Sequence, residues 1–309
     1  IDPAIDAALA SGRLGLELFA RGSLFAPDIS GRINARDLGL FNIPDMTADA
    51  DAAMEVHGPL DNPEALQASV HISRLALARQ EQKLIHIENA AALLKDGRFT
   101  LDPVPVRIMD QGRLTLGANG DIKGDFTADV SGSLPGSMLV FLADGINFAQ
   151  GDILVSLHAK GKAASPDLLG SVAFSNMTLG FEALDEPLDK ICGRIELAPG
   201  AVEIRDVTAN LGDGKIKLAG KADLKNGMPD KFKFNFDAGQ VPVDLPDTLD
   251  MTVNSQLIWA GTMDKSAITG RIDILNGSYY KDVDLSLIRM ATRVAKKSRP
   301  KVREPRADF

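Results

Sequence analysis

The side chains that could do chemistry in this sequence are few and scattered. No Gly-x-Ser-x-Gly nucleophile turn occurs, and the nearest string, GSLPG at Gly132–Gly136, carries its serine in the wrong place. LGDGKIK around Gly212 has the outline of a phosphate loop but lacks its first glycine and the Ser/Thr after the lysine. A turn between strands accounts for it better. Asp49 with Asp51, and Asp282 with Asp284, share strand faces with no second set of ligands, the pattern of solvated carboxylates rather than of a calcium site. His57, His71, His86 and His158 fall in separate strands and read as surface or strand-end residues, not as bases or a metal cluster. A single cysteine, Cys192, excludes an intramolecular disulfide and a cysteine-built zinc site. It alternates with Ile191 and Gly193, which puts it on a polar face as an incidental residue. The expectation is a protein that is not an enzyme, with no catalytic residue, no metal and no cofactor.

Composition narrows the classes further. At 45% hydrophobic and 25% charged residues, the 309-residue chain is neither disordered nor membrane-spanning by composition. No run of about 18 apolar residues offers a transmembrane helix. Only 5% of residues are aromatic, a poor stock for stacking sugars or bases. A net charge of -8 argues against nucleic acid as a partner. The chain starts at Ile1 with no signal peptide in view, which suggests a segment of a longer protein.

Period-two alternation dominates, so the elements are strands with one apolar face. KFKFNFDA sets Phe232, Phe234, Phe236 and Ala238 against Lys231, Lys233, Asn235 and Asp237. GKIKLAGKADL and MTVNSQLIW follow the same rule, and glycine-containing breaks separate such runs. About 18 strands can be counted, enough for roughly 85 Å of continuous sheet at ~4.8 Å per strand. Helical pattern is confined to IDPAIDAALA at the start, GSMLVFLADGINF near residue 141 and DLSLIRMATRVAKK in the tail.

The chain also repeats itself. Gly22, Gly58, Gly161 and Gly261 open comparable units, with Pro27, Pro63 and Pro166 five residues on and Ser266 in the last copy. Gly31, Gly170 and Gly270 follow nine residues after the first glycine. A strand comes next in each unit: Ile33 and Ala35, Val70 and Ile72, Val172 and Phe174, Ile272 and Ile274. Beyond it the alternation slips by one residue in all four copies, to Leu38, Leu75, Met177 and Gly277. A slip of that kind turns side chains to the other face unless the backbone bulges, so the repeat predicts a bend built into the sheet.

Strands apolar on one face must hide it in a sandwich, a barrel or a sheet folded over a groove. Repeats stacked in line favour the last. The repeated form GKAASPDLLGSVAFSNMTLGF, followed by ICGRIELAPGAVEIRDVTANLGDGKIKLAGKADL, resembles the TamB family of translocation and assembly module subunits, relatives of the AsmA-like proteins. GSLPGSMLVFLADGINFAQGDI is similar to that family's short helix between blocks, and GRIDILNGSYYKDVDL to its glycine-tyrosine closing strand. The resemblance covers most of residues 1–285 and places the chain as a middle segment.

The resemblance implies an all-β, elongated β-taco or half-pipe of antiparallel strands with a hydrophobic groove and a few short helices. It also implies a periplasmic location within an inner-membrane-anchored protein of a diderm bacterium. The implied roles are phospholipid movement to the outer membrane and outer-membrane protein assembly or secretion. The implied partners are phospholipid acyl chains and, through other regions, an outer-membrane barrel. The repeated region is taken as 1–285, with a basic linker or tail at 286–309. Arg293, Lys296, Lys297, Arg299, Lys301, Arg303 and Arg306 outnumber Glu304 and Asp308 there.

Candidate groove-lining residues are Leu16, Leu18, Ile33, Val70, Ile72, Leu114 and Leu116 in the first part of the chain. Val155, Leu157, Val172, Phe174, Ile195, Val202 and Ile204 continue the lining. Ile216, Leu218, Phe232, Phe234, Phe236, Val253, Leu257, Trp259, Ile272 and Ile274 complete it. The competing expectation is a structural β-solenoid spacer or adhesin stalk without lipid cargo, whose interior would be filled.

Overall fold

The computed structural model describes residues 12–279, apart from residues 24, 40–44, 60–61, 63, 80–81, 163–164, 183, 226–227 and 246–248. The expected first and third helices, the pair Asp282 and Asp284, and the basic tail lie outside the described residues. Sixteen strands follow one another: β1 (Arg13–Ser23), β2 (Ala26–Gly39), β3 (Met46–His57), β4 (Gln67–Arg79), β5 (Gln82–Lys95), β6 (Arg98–Ile108), β7 (Gly112–Asp121), β8 (Phe126–Pro135), β9 (Ile146–Lys162), β10 (Ser165–Phe181), β11 (Leu188–Ala198), β12 (Ala201–Leu211), β13 (Gly214–Lys225), β14 (Met228–Leu245), β15 (Leu249–Thr262) and β16 (Ser266–Tyr279). They form one antiparallel sheet whose spatial order is the chain order, an open all-β wall consistent with an elongated half-pipe. Fifteen steps of ~4.8 Å make the described sheet about 72 Å long. Slips in alternation occur inside long strands such as β10 and β14 and do not end them.

Those slips are β-bulges. Two residues face one at Arg36–Asp37, Ser175–Asn176, Arg205–Asp206 and Gly239–Gln240. Ser73 and Leu275 are single insertions at the equivalent points of β4 and β16. Every even-numbered strand except β8 has such a shift, so the bulges run as a line across the wall. In four of them one residue is left-handed: Asp37 (φ 50°), Asn176 (φ 49°), Asp206 (φ 47°) and Gln240 (φ 56°). Asp and Asn tolerate that region better than most residues.

Bulges re-aim and bend a strand, and the burial pattern follows them. A side chain on a flat single-layer sheet keeps one side open to water. Met177, just beyond the β10 bulge, is nonetheless 1% exposed, as is Leu84 at the start of β5. Buried clusters gather along this line: Val104, Val106 and Ile108 with Ala90, then Ile153, Val155, Met177 and Ile191, then Leu211, Ala238, Val241 and Val253. The sheet therefore has a packed crease beside a more open apolar face.

The expected helix near residue 141 is shorter than its pattern. A 3₁₀ turn (Gly136–Met138) leads into a single helical turn, α1 (Leu139–Leu142), and Ile146 already begins β9.

Candidate functional site: an apolar trough

The cross-strand register brings one residue from each strand into a single row. It runs Leu14, Ala35, Ala50, Leu75, Ile87, Val106, Leu114, Gly132, Val155, Val172, Ile195, Ile204, Gly220, Phe234, Trp259 and Ile268. Every member is apolar or glycine. Directly opposed side chains in such a ladder lie about 4.5–5.5 Å apart, so the row is a continuous hydrocarbon stripe. One residue away, on the other face, β7 to β14 contribute Thr115, Ser131, Ser156, Ser171, Glu196, Glu203, Lys221 and Lys233. One face of the wall is oil and the other is water-compatible.

All the candidate lining residues lie on the apolar face, each opposite an apolar residue or glycine except Ile272, which faces Ser255. Their exposure is graded. Val155, Phe232 and Val253 are buried. Leu16, Leu18, Ile33, Val70, Trp259, Ile272 and Ile274 are exposed, Leu16 by 64% and Ile272 by 59%. The remainder are half-buried. The trough is thus best covered in its middle and most open at the β1 and β16 ends.

Sequence reasoning missed the β5–β6 lining. Val104, Val106 and Ile108 alternate as a buried strand should, but Pro103 and Pro105 flank Val104 and argue against a central strand. The register shows how the prolines are accommodated. Pairing between β5 and β6 holds at Ile87 with Val106 and at Ala92 with Leu101, but the four residues between them on each strand are not paired.

Aromatic residues concentrate at one place. Phe232 and Trp259 meet edge to face at 4.8 Å, and Phe234 lies 5.5 Å from Phe232. Phe234 covers Gly220, where an added Cβ would come within 2.4 Å of its ring.

The polar face holds titratable groups in pairs, some across strands and some within one strand. Arg36 binds both carboxylate oxygens of Asp51 at 2.9 Å, and Arg74 binds Asp49. Asp49 also accepts the backbone N–H of Asp37 at 2.9 Å. That bond, aided by Arg74 and Arg36 against partial burial, holds the Asp49 carboxyl below the usual aspartate range. Asp49 and Asp51 are therefore engaged in pairs rather than free in solvent. The Glu203 carboxyl is likewise held low, first by its hydrogen bond from Arg205. His57 pairs with Asp28 and His158 with Asp129, at 2.9 and 2.8 Å. His86 faces Glu88 at 2.9 Å.

Cys192 is not incidental, because its Sγ accepts the N–H of Asn176 at 3.3 Å. Gln240 N–H donates to Asn254 Oδ1 at 2.8 Å in the same arrangement. Asp49, Cys192 and Asn254 thus each satisfy the backbone donor that a bulge leaves outside the ladder. Among the described residues no group of three or more His, Cys, Asp or Glu could hold a metal ion, and no helix is long and apolar enough to cross a membrane.

Three comparisons bear on this architecture. No solved structure matches the chain. A stretch of 163 residues, 52% of the chain, is 24% identical to Protein SUBSTANDARD STARCH GRAIN 4, chloroplastic, of Oryza sativa subsp. japonica, and spans 8% of that protein. Residues 205–303 match the family profile described as the TamB C-terminal domain. The sequence reading took the chain as a middle segment of such a protein, and the matched profile is one described for a C-terminal domain. A profile match from β12 onward, on a one-faced antiparallel wall of the expected form, supports assignment of this chain to the TamB family.

Proposed function

We propose that this chain is a length of wall from a periplasm-spanning, inner-membrane-anchored TamB-like protein, and that its trough shields phospholipid acyl chains on their way to the outer membrane. In the same role it supports assembly and secretion of outer-membrane proteins, with the barrel partner engaged through other regions of the full protein. The observation that carries this reading is the unbroken apolar row across all sixteen strands, half-exposed over much of its length. A hydrocarbon chain gains roughly 0.8 kcal/mol per buried methylene and needs no directed hydrogen bond. A lining with so few polar groups therefore holds lipid with similar strength along its length and stops it nowhere. The role needs no catalysis, metal or cofactor. A filled spacer would instead bury residues such as Ile33 and Val70, which are exposed in strands that have neighbours on both sides.

Native mass spectrometry of the purified chain tests the reading. Co-purifying phospholipid is the expected result, and it should be lost in Leu218→Asp or Phe234→Asp, which put a charge in the trough. A protein that carries no lipid and takes up no fluorescent fatty acid contradicts it.

A further inference from the structure

We propose that Gly136–Leu142 is a strap seated in the trough, which an acyl chain must lift to pass the middle of the wall. The inference rests on the lipid-trough reading above and adds a control point to it.

The connection between β8 and β9 is ten residues long, the longest at its edge of the sheet. It is not a solvent loop. Met138 packs against the buried cluster of β5 and β6, and Leu139 against that of β9 to β12. Leu114 and Leu134 belong to the surroundings of both clusters, so the two strap residues sit where the clusters meet. Hydrocarbon passing along the trough would compete for this same apolar surface.

The seat is tight at one point and loose elsewhere. Gly136 is buried against β9, where an added Cβ would stand 3.0 Å from the Gln150 carbonyl carbon and the Gly151 oxygen. That makes it the fixed pivot. Beyond it, no residue of α1 is buried, and Leu142 is 66% exposed. Neither helical turn has a side-chain cap. The other ties are a 3.5 Å contact from Ser137 Oγ to Met109 Sδ and the Arg79 guanidinium 5.9 Å over the Phe141 ring, from the end of β4. A short element with few buried contacts belongs to the part of a fold that opens at low cost. GSMLVFL carries no charge, so lifting it breaks no ion pair of its own.

The test uses the full chain in a Cys192→Ser background with a bimane label on Leu142→Cys, titrated with cis-parinaric acid. Uptake should shift the bimane emission as the strap leaves its seat. Replacing Met138–Leu142 by a Gly-Ser linker of equal length should speed uptake at least about threefold, since gating elements limit such steps. The double variant Met138→Ser, Leu139→Ser should do the same while leaving the pivot in place, and circular dichroism shows that each variant keeps its sheet. Uptake with an unmoved label and unchanged rates overturns the strap and leaves the trough standing. No uptake by any form removes the trough, and the strap with it.

Discussion

Single side chains on the polar face hold the bend of this wall in place. Asp49 accepts the Asp37 N–H and pairs with Arg74, so Asp49→Ala should cost about 1–2 kcal/mol in thermal or urea unfolding. Asp49→Asn keeps an acceptor and should cost less. The folded carboxyl sits below its ordinary value, so its contribution is present above about pH 4 and disappears as pH falls through the lowered folded value. The acid-side loss of stability should be smaller in Asp49→Asn than in the parent, and equal slopes would contradict the assignment. Cys192→Ala should cost ~0.5–1 kcal/mol, with Cys192→Ser restoring most of it, because sulfur here serves as an acceptor and not for reactivity. None of these roles was legible in the sequence. Asp49 and Cys192 are ordinary members of polar alternation, and only the register places them opposite a bulge.

At the scale of elements, glycine and bulge act together. Gly170 and Gly270 have φ near +133° and +147°, and a Cβ on either would fall 2.0 Å from the facing carbonyl oxygen of Ser156 or Gln256. Gly170→Ala should therefore destabilise by about 2–4 kcal/mol, measured by chemical unfolding. Deleting Asn176 should be worse than substituting it. Removing one residue from the bulge restores regular alternation with Met177 and Leu179 still on the apolar face, but takes away the bend that turns Met177, among the most buried residues of the molecule, into the crease. A deletion variant as stable as the parent would show that the bend at this bulge does not bury Met177. The repeated glycines and the one-residue slip were readable from sequence because period two is strict. The β5–β6 lining was not, because two prolines mask a strand whose ladder opens around them. The length of the middle helix was misread for a related reason: apolar residues that seat on a trough look like those of a longer amphipathic helix.

At the scale of the molecule, the described residues form a one-layer wall, and among them no second sheet lies opposite its apolar face. Local alternation announced the faces, and in-line repetition announced the sequential strand order. How deeply the crease packs depends on curvature, which no local pattern encodes. Trp259, half-exposed beside Phe232 and Phe234, should report occupancy directly, with emission moving to shorter wavelength as fatty acid binds. Binding elsewhere on the wall alone would leave that spectrum unchanged.

The central claim is that one face carries lipid along its whole length. Photo-crosslinking decides it most directly, with p-benzoylphenylalanine placed in turn at Leu14, Leu75, Leu114, Val172 and Ile268 of the apolar row and at Thr115, Ser171 and Lys233 of the polar one. The account predicts phospholipid adducts at every apolar position and none at the polar ones. Adducts absent from the row, or equally frequent on both faces, would contradict it.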